Sequence, residues 1–168
     1  MPLTILAYAI GGIGMLVEWQ SYRLQCGKSF RRWSAAGALF WATQYLLLGA
    51  TTAALTMGST ALRTYFSGWL EQNPYRHLAA GIFVLLFVIL TAATWQGLVS
   101  LLPAFAVINT TLALFYLDNR NMRIACLASS LAWIANDVCW QAWPAFIAES
   151  VAVLLNMRTI RRMGVSAA

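Results

Sequence analysis

Residues 130–140 read SLAWIANDVCW, and residues 38–48 read ALFWATQYLLL. Each stretch is apolar almost throughout, carries a tryptophan (Trp133, Trp41) and places an amide three residues further on (Asn136, Gln44). The two Trp–amide pairs stand 92 residues apart. How this chain folds turns on what such polar groups do inside apolar helices that occur twice.

The surroundings of both stretches identify the solvent. Hydrophobic residues make up 61% of 168 and charged residues 10%, with a mean hydropathy of +0.68. A soluble domain carries about 25% charged residues. This chain cannot cover a water-facing surface and reads as a polytopic membrane protein. Apolar runs separated by polar or turn residues predict seven helices, near residues 2–20, 33–50, 52–69, 78–95, 98–117, 123–140 and 144–160. Runs of about 17–20 residues span a hydrocarbon core of ~30 Å at 1.5 Å per residue. The predicted class is all-α, a bundle of seven transmembrane helices. The first run has no basic residue before it and is expected to be a retained span, not a signal peptide.

The basic residues orient the bundle. Arg23, Lys28, Arg31 and Arg32 fall between helices 1 and 2, and Arg63 and Arg76 around the end of helix 3. Arg120 and Arg123 fall between helices 5 and 6, and Arg158, Arg161 and Arg162 close helix 7. The connections near residues 49–51, 95–97 and 141–144 have none. Seven alternating spans put every Lys and Arg on one side, so the N-terminus is expected outside and the C-terminus in the cytoplasm. The net charge of +6 is thereby a topology signal, and basic residues scattered over short loops give no nucleic-acid interface. Cys26, Cys126 and Cys139 form no CxxC and read as small apolar packers. With His77 as the one histidine, the sequence offers neither a zinc set nor a haem site, and no cofactor or metal is expected.

The paired stretches imply a repeat. Helices 2–3 and 6–7 each follow a basic loop, carry the Trp–amide pair, make a very short turn and end near an arginine (Arg63, Arg158). Helices 1 and 5 precede them. Two triplets need a linking span to enter the bilayer in the same direction, and helix 4 supplies it. The expected plan is one transmembrane domain over 1–168, of 3+1+3 type: a first triple-helix repeat at 1–70, a linker helix at 71–96, a second repeat at 97–163 and a short tail at 164–168.

The stretches YLLLGATTAALTMGSTALRTYF and LLPAFAVINTTLALFYLDNRNMRIAC, with LAWIANDVCW and FIAESVAVLLNMRTIRR beyond them, resemble the YgjV family of bacterial inner membrane proteins. The matching features are the LLG turn, Arg63, the LLP that opens helix 5, and Glu149 seven residues before Asn156. The resemblance implies a multi-pass protein of the bacterial inner (plasma) membrane. It is similar, more distantly, to the SWEET sugar transporters, PQ-loop transporters and nicotinamide riboside carriers, which share the 3+1+3 plan. The Pro-Gln pair that names the PQ-loop proteins is absent here, and Pro103 lies early in helix 5.

Helical spacing gathers polar and small residues into stripes: Ala7, Gly11, Gly14 and Glu18 on helix 1; Trp41 and Gln44 on helix 2; Thr52, Thr56, Thr60 and Arg63 on helix 3; Asn109 on helix 5; Trp133, Asn136 and Asp137 on helix 6; Glu149 and Asn156 on helix 7. Small residues and hydroxyls pack helices together in lipid. Intramembrane acids are costly and mark function or a specific partner. Asp137 and Glu149 flank one short turn with no Lys or Arg at their depth. Both should not stay charged there, so one takes a proton or a cationic ligand or ion completes the site. The bland alternative is a hydrogen-bonded pair capping the turn. Glu18 is expected to pair with Arg23 or Arg63, and Arg63 and Arg158 to reach for the membrane surface. Trp41 and Trp133 either pack the core or stack on a flat solute.

The candidate substrate or proton site is Trp41, Gln44, Asn109, Trp133, Asn136, Asp137 and Glu149. A transporter of a small solute, with the lipid bilayer around it, is the leading expectation; a non-transporting receptor or scaffold is the alternative. Small residues on helix 1 would also allow a homodimer. An enzyme is not expected, because no nucleophile–base motif accompanies the acids.

Overall fold

The computed structural model describes residues 2–23, 27–70, 73–117 and 119–165. Among these are seven α-helices: α1 (Pro2–Arg23), α2 (Gly27–Leu47), α3 (Thr51–Leu70), α4 (Arg76–Ala93), α5 (Leu101–Tyr116), α6 (Asn119–Trp140) and α7 (Trp143–Val165). A 3-10 turn, Leu98–Ser100, leads into α5, and the described residues contain no strand. The predicted helices agree in number and order. The largest differences are at the starts of α2 and α6 and the end of α7, where the helix runs several residues beyond its apolar run. Lys28, Arg31, Arg120 and Asn121 continue the helix where hydropathy has already stopped.

Burial is inverted relative to a soluble protein. The interior combines many alanines and a few large rings such as Trp41, Tyr45 and Phe87 with Gln44, Thr52, Thr56, Thr111, Asn136 and Asp137, while Leu3, Ile5, Leu46, Leu62, Leu85, Leu131 and Leu154 stand outside. Such a surface is stable only against lipid. Three helical segments, Pro2–Ser21, Arg76–Ala93 and Leu98–Tyr116, are long and apolar enough to cross a membrane by themselves. Of the other four, α2, α3 and α6 carry buried polar side chains such as Gln44, Thr56 and Asn136, which lower their hydropathy without shortening them. Cys139 is exposed and Cys126 half-buried, so Cys139 is not the core packer its size suggests; Cys26 lies outside the described residues.

The helices pack in sequence, α1 on α2 and α2 on α3, then α5 on α6 and α6 on α7. Contacts of α1 with α7 and of α3 with α5 close these six into a circuit, and α4 lies against α3 and α5. In that circuit α2 stands opposite α6.

Two hairpin turns share one backbone solution. After α2, Gly49 takes φ 83° while its N–H bonds the Leu46 carbonyl and the Ala50 N–H bonds the Tyr45 carbonyl. After α6, Gln141 takes φ 53° while its N–H bonds the Val138 carbonyl and the Ala142 N–H bonds the Asp137 carbonyl. Both are Schellman motifs, which satisfy carbonyls that a helix C-terminus would otherwise leave open. Gly49 enters the left-handed region without steric cost, whereas Gln141 keeps a Cβ there. Side chains from the neighbouring segments cap both turns: Gln96 Nε2 donates to the Gly49 carbonyl at 2.9 Å, and Tyr8 Oη to the Gln141 carbonyl at 3.0 Å. Thr52 adds a bond to the Thr94 carbonyl at 2.5 Å.

Close approach of α1 to α2 depends on glycine. A Cβ on Gly14 would lie 2.9 Å from Phe40 Cβ and 3.4 Å from the Trp41 ring, whereas one on Gly12 would meet nothing within 4 Å. Because Phe40 Cβ moves only with its backbone, Gly14→Ala should cost about 1–3 kcal/mol. Gly12→Ala should be neutral or slightly stabilising, from helix propensity. Thermal unfolding of the two purified variants beside the parent checks this. The small residues Ala7, Gly11 and Gly14, which offered a homodimer contact, are buried within the chain.

Candidate functional site

The stretches at 38–48 and 130–140 meet inside the circuit. Tyr45, the residue after Gln44, reaches across from α2 and its hydroxyl donates to Asp137 Oδ1 on α6. Trp133, one turn before Asp137, stacks on the Tyr45 ring with centroids 5.8 Å apart and planes 19° apart. Tyr45, Trp133 and Asp137 are all buried, Asp137 completely. Tyr45 and Asp137 are themselves 92 residues apart, the offset of the Trp–amide pairs.

Amides flank this contact on both sides. Gln44 is fully buried, and its Oε1 occupies the space over Gly11, 1.9 Å from where a Cβ would be. Asn136 is also fully buried, and its side chain lies beside the Asp137 carboxylate. Asn136 lies within hydrogen-bonding reach of the carboxylate, whereas neither the N nor the O of the Gln44 amide has a partner among the described residues. Buried polar groups cost about 1–3 kcal/mol each when unsatisfied, so a fully buried amide left open beside this contact requires a reason.

Two further carboxylates join the same region. Glu18 of α1 accepts a hydrogen bond from Trp41 Nε1 at 2.8 Å. Glu149 of α7 lies beside Ser130 of α6 and within electrostatic reach of Glu18 and Asp137. Tyr45 is within reach of all three acids. Among the described residues no three of His, Cys, Asp and Glu are placed to hold a metal ion. The arrangement instead offers carboxylate and amide acceptors, amide donors and three aromatic faces.

The candidate residues do not all gather. Trp133, Asn136 and Asp137 surround the Tyr45 contact; Gln44 lies next to Tyr45 on α2, and Trp41 is tied to Glu18. Asn109 is used elsewhere: its Nδ2 donates to the Ala125 carbonyl at 2.7 Å and to Ser129 Oγ at 2.9 Å, joining α5 to α6. Asp137 and Glu149 do not cap their turn as a pair, because the Asp137 side chain points to α2 and its main-chain carbonyl does the capping. Glu18 pairs with Trp41 and not with Arg63; the Arg23 side chain lies outside the described residues. Arg63 does not reach for the membrane surface. It is 2% exposed and turns inward to α5, because Thr111 and the Val107 carbonyl offer acceptors there. Arg158 is exposed. Tyr45 was missed as a site residue, although the 92-residue offset, carried one position further, pairs it with Asp137.

A groove of about 370 Å³ between α2 and α3, lined by residues such as Leu39, Leu46, Leu55 and Leu62, is open on the apolar outer face and does not include the Tyr45–Asp137 contact. No curated protein and no solved structure matches the chain. A family model described as a bacterial inner membrane protein matches residues 5–167, nearly the whole chain. The inverted burial, the apolar helices and this match agree: the chain belongs to the Imp-YgjV family of bacterial inner membrane proteins.

Proposed function

We propose that the chain is a carrier for a small solute, with seven spans arranged as two parallel three-helix repeats, α1–α3 and α5–α7, joined by α4. The N-terminus is outside, the C-terminus cytoplasmic, and the solute or a proton is held between the repeats. Several observations support this plan. A two-fold relation that exchanges α1 with α5, α2 with α6 and α3 with α7 also exchanges the α1–α7 contact with the α3–α5 contact, and both exist. The Schellman residues Gly49 and Gln141 fall at the same 92-residue offset as the Trp and amide pairs. Lys and Arg are absent from the turns that carry Gly49, Gln96 and Gln141.

The Tyr45–Asp137 hydrogen bond carries the proposal. Residues related by a two-fold axis touch each other only where that axis passes. This contact therefore marks the boundary between the repeats, where carriers of this general plan hold their solute. One of the two positions is a carboxylate and the other a hydroxyl, so the site is polar and asymmetric. The fully buried Gln44 amide, with no partner among the described residues, suits a centre that a solute enters and satisfies. The tight aromatic stack between Tyr45 and Trp133 favours a second reading, a non-transporting receptor or scaffold whose interior stays shut.

Ligand-induced thermal stabilisation separates the two. Sugars, nucleosides, amino acids and amines are screened against the detergent-purified parent, Asp137→Asn and Glu149→Gln. The carrier reading expects a hit on the parent that one or both variants lose. A broad panel with no hit, and variants as stable as the parent, would leave the scaffold reading.

A further inference from the structure

One face of α2 meets three other helices within a single turn. Trp41, Gln44 and Tyr45 are spaced i, i+3 and i+4 and share that face. The Trp41 indole donates to Glu18 of α1 at 2.8 Å, and its ring stands 3.4 Å from where a Cβ on Gly14 would be. Tyr45, one turn on, donates to Asp137 of α6 and stacks on Trp133. Gln44 lies between these two contacts. A Cβ on Gly11 would fall on the Gln44 amide and 3.0 Å from Pro144 Cβ, so α1, α2 and the start of α7 converge on that side chain. Glu149 follows Pro144 by five residues, about 7–8 Å along α7.

The segments that build this centre hold acids and no bases. Residues 2–22, 33–62 and 124–157 contain no Lys or Arg. Arg63, buried next in sequence, turns to the Val107 carbonyl and Thr111 of α5. Glu18 and Asp137 are met by neutral donors, an indole N–H and a phenol O–H one turn apart on α2. Such dipoles offset only part of a buried carboxylate's charge, and buried charges are normally paired. The Gln44 amide, fully buried in the same turn, has neither its N nor its O bonded among the described residues. What would complete the centre is a positive charge on a group that can also donate to an amide oxygen. The rings of Trp41, Tyr45 and Trp133 suit a cation and its apolar body. A neutral solute could satisfy Gln44 but would leave the acids unmatched, and an anion would be repelled.

We propose that the interior site takes a small organic cation with N–H donors, a protonated amine, held by Glu18 and Asp137 with Gln44 as the neutral acceptor between them. This rests on the carrier reading and narrows it to one solute class, and it gives Glu18 a binding role.

The test uses the full chain in detergent and three probes of matched size that differ in charge: 2-phenylethylamine, 2-phenylethanol and 3-phenylpropionate. Melting temperature is followed for the parent, Glu18→Gln, Asp137→Asn, Gly11→Ala and the control Gly12→Ala, whose Cβ would meet nothing within 4 Å. The expected result is stabilisation by the amine alone. Its half-saturating concentration should rise about tenfold or more in Glu18→Gln and Asp137→Asn. It should rise in Gly11→Ala too, where the new methyl displaces the Gln44 amide, and stay unchanged in Gly12→Ala. Should Gly11→Ala fail to fold, the two acid variants decide. Equal stabilisation by the alcohol, or an amine response that Glu18→Gln retains in full, would overturn the assignment. A sugar or other neutral compound that stabilises the parent and not Asp137→Asn would overturn it while leaving the carrier reading in place. No response to the three probes or to the wider panel would overturn both.

Discussion

Trp133→Ala should lower the stability of the bundle by about 3–5 kcal/mol, the range for removing a buried aromatic from a packed core. The ring is 6% exposed, stacks on Tyr45 and belongs to one core with Trp41, Ala53, Phe87, Val107 and Ala145. That core joins both halves of the chain. Its other members are mostly alanines at close helix crossings, which have little side chain to move into a cavity. Trp133→Phe keeps a stacking face against Tyr45 and should lose less than half as much. Equilibrium unfolding in mixed micelles gives both values. A loss below about 1 kcal/mol for the alanine variant would mean that the ring does not pack as described.

Asp137→Asn should weaken recognition at the proposed interior site while leaving the fold intact. The asparagine side-chain oxygen can still accept the Tyr45 hydroxyl, so the change to stability should stay within about 1 kcal/mol. A cationic solute or proton would lose its charge partner, weakening binding by about 10–100-fold. Tyr45→Phe should behave in the opposite way. It removes the Tyr45 hydrogen bond from the buried Asp137 carboxylate and should destabilise by about 1–3 kcal/mol. Unfolding and ligand titration on both variants and on the double variant check the pairing. If the two single losses of stability simply add, Tyr45 and Asp137 are not coupled.

The helices were legible in the sequence because hydropathy reports directly on a lipid-facing surface. Leu46, Leu62, Leu131 and Leu154 had to be apolar wherever they pointed outward. Interior stripes were legible too, since Ala7, Gly11 and Gly14 share one helical face, as do Thr52, Thr56 and Arg63. Partner choice was not. Nothing in the spacing of Asn109 distinguishes a residue that binds its neighbouring helix, Ala125 and Ser129, from one that faces a solute. Glu18 and Arg63 have opposite charges and sit on nearby helices, which invites an ion pair. Each instead found a neutral partner, an indole N–H for the carboxylate and a carbonyl and hydroxyl for the guanidinium. Tyrosine read as an ordinary aromatic at position 45, because its hydroxyl acts only through a helix at the far end of the chain.

Those partner choices divide the interior by charge. Glu18, Asp137 and Glu149 lie within reach of one another, toward α1, α6 and α7, while Arg63 sits toward α4 and α5. Opposite charges buried in one small bundle would ordinarily be paired. Keeping them apart leaves the acids free to act on a solute or proton.

The measurement closest to the central claim is two-sided accessibility of the interior. Asn136→Cys is placed in a background where Cys26, Cys126 and Cys139 are alanine, reconstituted in vesicles of known orientation and exposed to a membrane-impermeant thiol reagent from either side. A carrier with its site between two repeats opens to each side in turn, so position 136, fully buried here, should be modified from both faces. Modification from one face only, or from neither, would contradict it.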